Sequence, residues 1–363
     1  MWLFPARNNR RPASPVTKRL RLEALEGRVV PSTMKVTSPL DDGSAGTLRS
    51  VMALAQSGDK IVFAASLKGQ TITIDLWGRG QLSSPSRNLT INGPGGNNPV
   101  TIRGWFLFGD NDSPVSTVSL SNLNIVGGGF GGSIVNYGAS LSLDHCTLSG
   151  GMFGAVGAIA NYGGTVTIDH STLSGFRNVD FGVIKNSYGT VTIDHSTLSD
   201  NEGGDASVIY NEGGWVTIDH STLSNNQTIF TGAIFNFQGG QVAIDHSILS
   251  GNFSDDFGAG AIYNADGRVT IDHSTLSDNH AGFTGGAIWS GGSLTIAHSL
   301  LFGNQAGFEG GAIFCYSGSL TIQSSIVWGN TAPVGGDLAN YGDTTIINSL
   351  VGDIANYDTL TIE

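Results

Sequence analysis

The chain has 363 residues, 53 of them glycine, with 13% charged residues and a formal net charge of −12. So much glycine and so little charge exclude an ordinary helical enzyme and favour short strands joined by many turns. The acidic body of the chain beyond residue 35 lacks the clustered cations that nucleic-acid binding needs. No stretch reaches the ~18–20 apolar residues of a membrane span.

Charge is unevenly placed along the chain. Residues 1–35 hold eight Lys/Arg against two Glu (+6), which leaves nine against 27 acids (−18) for the remainder. The basic head is proline-bearing and lacks the apolar core of a secretory signal, so it is expected to be a disordered export or targeting segment. Within it "LEALEGRVVPS" (22–32) resembles the LE-x-R type N-terminal signature of surface and exported proteins of planctomycete-type bacteria, with Gly27 where those carry Pro. That resemblance implies an extracellular or cell-surface location.

Residues 36–66 are expected to form an N-terminal cap. "DDGSAGTLRSVMALAQSGDKIVF" predicts a short amphipathic helix with Leu48, Val51, Met52 and Ala55 on one face and Gly58 as its stop. From residue 67 to 363 the pattern changes to period-two strands such as "LTI", "VTI" and "VSL", each closed by a turn residue. Aligned on the residue after "ID", these recur about every 25 residues, too short a unit for a propeller blade of ~40. The fold class is therefore all-β: a single-stranded parallel β-helix, a three-sided solenoid of about eleven coils with a short capping helix. Three inward files support it: Ile159, Ile184, Ile209 and Ile234; Val166, Val191, Val216, Val242 and Val269; and Leu148, Leu173, Leu198, Leu223 and Leu249. Cys146 and Cys315 lie seven repeats apart, roughly 34 Å at strand spacing, and are expected to be free thiols.

"GGAI" at 285–288 and 310–313, with the turns Leu276 to Asn279, Leu301 to Asn304 and Val327 to Asn330, is similar to the GGAI/FxxN repeats of the chlamydial-type polymorphic outer membrane protein family. Leu or Val stands here for the Phe. The resemblance implies a right-handed winding and an adhesin-like, cell-surface role.

"IDHS" recurs at 168, 193, 218, 244 and 271, with "LDHC" at 143. Asp, His and Ser are the residues of a hydrolytic triad, but an enzyme needs one copy. Gly93, Asn122, Ser324 and Asn348 fill the histidine column in other coils, and Gly, Asn and His share a tolerance for the left-handed backbone of a sharp corner. The histidine therefore reads as a corner residue and the serine as lining. The aspartates would stack and repel by about 0.9 kcal/mol per neighbour pair even in water, so they should face solvent. Asp169, Asp194, Asp219 and Asp245 are candidate weak Ca²⁺ ligands, the one cofactor entertained. A file of Asn136, Asn161, Asn186, Asn211, Asn236 and Asn264 reads as stacked amides.

Between these files Tyr210, Phe235, Tyr263, Trp289 and Phe314 are expected to form an outward stripe about 19 Å long. It would bind a polysaccharide or a surface protein, or it would simply stack on itself to stabilise the sheet. The expected function is a non-catalytic, adhesin-like or structural module, since near-identical coils without irregular insertions build no unique cleft. The alternative is a polysaccharide lyase or glycoside hydrolase of β-helix type, with Arg177, Lys185, Asp180 and Asp205 as the place to look. An open sheet end at the C-terminal coil would favour self-association.

Overall fold

Strands of alternating polarity bury one face only, and a coil of about 25 residues buries it only against the coils above and below. The computed structural model, which describes residues 31–363 apart from 76–79, 85–86, 110–115, 128–131, 151, 155–156 and 257, has this architecture. It is a right-handed-type parallel β-solenoid of about 12 turns with three sheets. Sheet 1 has 14 strands, among them Thr165–Asp169, Thr190–Asp194 and Trp215–Asp219. Sheet 2 has 12, among them Thr172–Ser174 and Thr197–Ser199. Sheet 3 carries the "AIxN" strands such as Ile159–Tyr162 and Ile184–Ser187. The turns slightly exceed the eleven expected coils because Thr33–Val36 and Lys60–Phe63 already pair in sheet 1 ahead of the first repeat.

The helix, α1 (Leu48–Leu54), is capped by the Thr47 hydroxyl, which accepts from Ser50 N, and it buries Leu48, Val51 and Met52. Its last turn gives way at Ala55, three residues before Gly58.

Like residues meet coil after coil. Ile159 pairs with Ile184, Ile184 with Ile209 and Ile209 with Ile234, all in parallel register. Val191 pairs with Val216, and Leu198 with Leu223. Each of these side chains is 0–2% exposed, a burial that contributes about 1.5–3 kcal/mol apiece. The two glycines of "GGAI" also have a physical cause. Gly285 takes φ +68°, and a Cβ on Gly286 would lie 2.0 Å from the carbonyl oxygen of Gly311 in the next coil.

Polar ladders run through the interior beside the apolar files. The Asn211 amide donates to Asn236 Oδ1 at 2.8 Å and to Gly214 O at 2.9 Å, and accepts from Asn186 at 2.8 Å. A second buried ladder, Asn201, Asn226, Asn252, Asn279, Asn304 and Asn330, comes from the turns of the LxxN type and ends on Asp337 Oδ1. These amides have no water to turn to, so each satisfies its neighbour.

The corner between sheets 1 and 2 answers the repeated trio. His145, His170, His195, His220, His246, His273 and His298 all have φ between 42° and 50°, as Asn122, Ser324 and Asn348 do within 46–55°. Ser196, 3% exposed, donates from Oγ to Asp194 O at 2.7 Å, and Ser221 Oγ accepts from Ser196 N at 3.0 Å. The hydroxyl is consumed in closing the corner and tying coils together, so it is no nucleophile. Cys146 occupies the same place, buried and free like Cys315, and burial pushes both thiols up to about 11.

Three substitutions test this frame. Asn211→Leu should cost about 2–4 kcal/mol, because each buried partner left unpaired costs about 1–3, read as a lower urea midpoint than in a surface Thr192→Ala control. His220→Asn should leave the midpoint nearly unchanged, whereas His220→Val should cost about 1–2 kcal/mol at a left-handed corner.

Candidate functional site

Among the described residues, the register of sheet 3 shifts along the strand Glu202–Glu212. Strand Arg177–Phe181 pairs with the long strand Glu202–Glu212, but Val179 faces Gly203 while Phe181 faces Ala206. Between these pairs one residue, Asp180, opposes two, Gly204 and Asp205. A second shift follows between Ala206 and Ile209 against the next coil. A bulge of this kind re-aims side chains out of the pleat and is over-represented beside active sites. The coils here, of equal length and without an inserted loop, thus still differ in register.

Asp180 is exposed and Asp205 half-buried at this bulge. Burial, and then the negative charge of Asp180, push the Asp205 carboxyl above the usual carboxylate range. Beside them the Lys185 ammonium lies 4.4 Å from the Phe181 ring centre, 5.7 Å from that of Tyr210 and 5.8 Å from that of Tyr162. Three rings at this range hold a cation by their quadrupoles. Tyr210 joins the two groups: its hydroxyl is raised by burial, then by Glu212 and Asp205. Ser187 Oγ donates to Glu212 Oε2 at 2.9 Å. Three of the four residues singled out from sequence, Asp180, Asp205 and Lys185, are thus drawn to one face. Arg177 is not, because its guanidinium pairs with Glu202 at 2.8 Å, both side chains exposed.

Sequence reasoning missed Tyr162, Phe181 and Glu212. Glu212 stands two residues after Tyr210, so strand alternation was enough to place it on the same face. Phe181 reaches Lys185 across the turn between two strands of one coil, and no periodicity reports that.

The aromatic file continues from this point, but as a self-supporting ladder. Tyr210 meets Phe235 edge-on at 5.4 Å, Phe235 meets Tyr263 at 5.6 Å, and Tyr263 stacks on Trp289 at 4.3 Å. Phe237, Tyr316 and Tyr341 fill in beside it. The rings are half-buried and Phe314 is only 7% exposed, so the freely exposed stripe is corrected to a packed one. Such ring pairs add about 0.5–1.5 kcal/mol each beyond their area.

At the opposite corner, Asp169, Asp194, Asp219 and Asp245 stack as expected but do not simply face water. Each carboxylate lies 2.6–2.9 Å from Nδ1 of the histidine that follows it. The mutual repulsion of the acids is offset by these imidazoles. A Ca²⁺ ion would find one carboxylate per coil, already engaged by a nitrogen donor.

No protein-family model matches the chain, and no curated protein matches it. Two solved structures resemble it in outline. One is an alginate lyase from Paenibacillus sp. str. FPU-7, 14% identical with a TM-score of 0.37, covering 90% of this chain and 99% of that one. The other is the catalytic domain of a GH87 alpha-1,3-glucanase in complex with tetrasaccharides, 14% identical with a TM-score of 0.43, covering 90% of this chain and 67% of that one. The fold itself stands on the strand pairing above. The uniformity that favoured a non-catalytic module is broken at Asp205. The expectation of a non-catalytic adhesin-like or structural module is corrected accordingly.

A group whose folded-state pKa is raised contributes stability below its unfolded pKa and loses it as pH rises through the folded value. Asp205 is such a group. Asp205→Asn should therefore raise the melting temperature at pH 7, and the gain should shrink as pH falls below the ordinary carboxylate range, measured by thermal unfolding from pH 3 to 8.

Proposed function

We propose that the chain is a polysaccharide-active enzyme of the glycoside hydrolase type, acting on a neutral glycan at the face of Asp180, Asp205, Lys185 and Tyr210. The observation that carries this reading is the pairing at the bulge of one exposed carboxylate with a second whose carboxyl is raised by burial and by the first. Two carboxyl groups whose environments push their protonation apart are the requirement of glycosidic bond hydrolysis. Asp205, whose carboxyl is pushed above the usual carboxylate range by burial and then by Asp180, is the group that gives a proton to the departing glycosidic oxygen. Asp180 serves the other face of the bond, through water or directly. Lys185 and Tyr210 orient sugar hydroxyls, and the half-buried ladder from Phe235 to Trp289 offers an apolar surface for successive sugars.

Charge supports a neutral substrate. Residues 36–363 carry −18, a field that repels polyuronates. Arg177, which a lyase would use to neutralise a uronate carboxylate, is engaged by Glu202. The LE-x-R type segment at 22–32 and the likeness to polymorphic outer membrane protein repeats belong to the same reading, that of an exported protein working outside the cell or on its surface.

The test is a panel of neutral glucans and uronate polymers scored for reducing ends and for unsaturated products. Reducing ends should appear from a neutral glycan and fall at least about a hundredfold in Asp205→Asn and in Asp180→Asn. Unsaturated product would make the chain a lyase instead, and no product from any polymer would overturn the enzymatic reading. Tyr263→Ala with Trp289→Ala should weaken retention on the hydrolysed glycan while leaving cleavage of short oligosaccharides nearly unchanged.

A further inference from the structure

Seven imidazoles in file are explained neither by the corner nor by the proposed site. The corner needs only a residue that tolerates positive φ, and Asn122, Ser324 and Asn348 meet that need without a ring. From His145 to His298 the rings stack face to face, with centres 4.7–5.0 Å apart and planes within 13°. Behind six of them an Asp Oδ1 of the same coil lies 2.6–3.0 Å from Nδ1. His298, which has Ala297 before it, takes its carboxylate from Asp272 in the preceding coil at 2.9 Å.

At His145, His170 and His298 the contact is a hydrogen bond, and a carboxylate that accepts from Nδ1 leaves the lone pair on Nε2. The histidine side chains are 48–58% exposed, so these lone pairs are open to solvent. A carboxylate behind one ring nitrogen with the other free is the arrangement that orients an imidazole toward a metal and raises its basicity. An Asp, its own His and the His of the next coil bring ligand atoms within 4.8 Å of one another, first in Asp144, His145 and His170 and then coil after coil.

We propose that this ladder is a linear array of sites for borderline divalent transition metals such as Zn²⁺, Cu²⁺ or Ni²⁺, each ion held by two neighbouring imidazoles with carboxylate support. Nitrogen donors select these ions over Ca²⁺ and Mg²⁺, which take oxygen. The spacing sets the stoichiometry. Metal–nitrogen bonds of about 2.0–2.1 Å let two ligating nitrogens stand at most about 4.2 Å apart, less than the ring spacing. A bound ion therefore draws two rings together and pulls each away from its other neighbour. Alternate gaps fill, and seven rings make three pairs with one left over. Competing ligands are out of reach: Cys146 and Cys315 are buried with thiols raised to about 11, and His280 stacks on Phe253 in another file.

Calorimetric titration of the full chain with zinc chloride should give about three ions per chain, and calcium chloride should give no heat. The variant His170→Asn/His195→Asn/His220→Asn/His246→Asn keeps corner-competent residues and leaves one adjacent pair, His273 with His298, so one ion should remain. Asp169→Asn, which leaves every ring in place and removes the carboxylate hydrogen-bonded to His170, should weaken the affected site about 10–100-fold. Absence of zinc binding by the unaltered chain, or unchanged binding by the fourfold variant, would overturn the proposal. Six ions per chain would overturn the pairing.

Discussion

In-register parallel pairing is the constraint on which everything else depends. In the regular coils each strand hydrogen-bonds to the next with no offset, so a side chain stands directly above its equivalent. Only residues that gain from meeting themselves are suited to such a stack. Ile, Val and Leu do so by dispersion and exclusion of water. Asn does so because its amide is both donor and acceptor, which is why two buried amide ladders run through the interior. Aromatic rings and imidazoles do so by stacking. Aspartate does not, and its column exists because each carboxylate has an imidazole nitrogen beside it.

The same constraint explains where chemistry can arise. A stack of equivalents cannot place two different groups to act on one bond, because each coil repeats the last. Asymmetry enters where register slips. At Gly204–Asp205 the extra residue turns a carboxyl toward the charge of Asp180 and sets it near the Tyr210 and Lys185 group. Regular coils on either side then act as a rigid frame, with the aromatic ladder extending from the site in one direction. The His–Asp corner lies on a regular part of the winding, and its chemistry is accordingly that of an array, the same small unit offered many times.

Much of this was legible in the sequence because periodicity is a one-dimensional signal. The three inward files, the amide file from Asn136, the corner histidines and the lining serines all follow from a repeat of about 25 residues combined with strand alternation, and helix α1 follows from Leu48, Val51 and Met52 sharing a face. What escaped were relations between different columns. Nothing in the spacing shows that each Asp pairs with its own His, that Arg177 turns to Glu202, or that Phe181 covers Lys185.

The sequence by itself determined the winding, the direction in which most side chains point and the identity of what stacks on what, since these depend only on the repeat length and a period of two. The tertiary structure alone decided the bulge at Asp205, the half-buried state of the aromatic file and the pairing of the Asp and His columns. Those depend on the angle at which neighbouring columns lean together and on a one-residue slip between coils, and a one-dimensional repeat encodes neither.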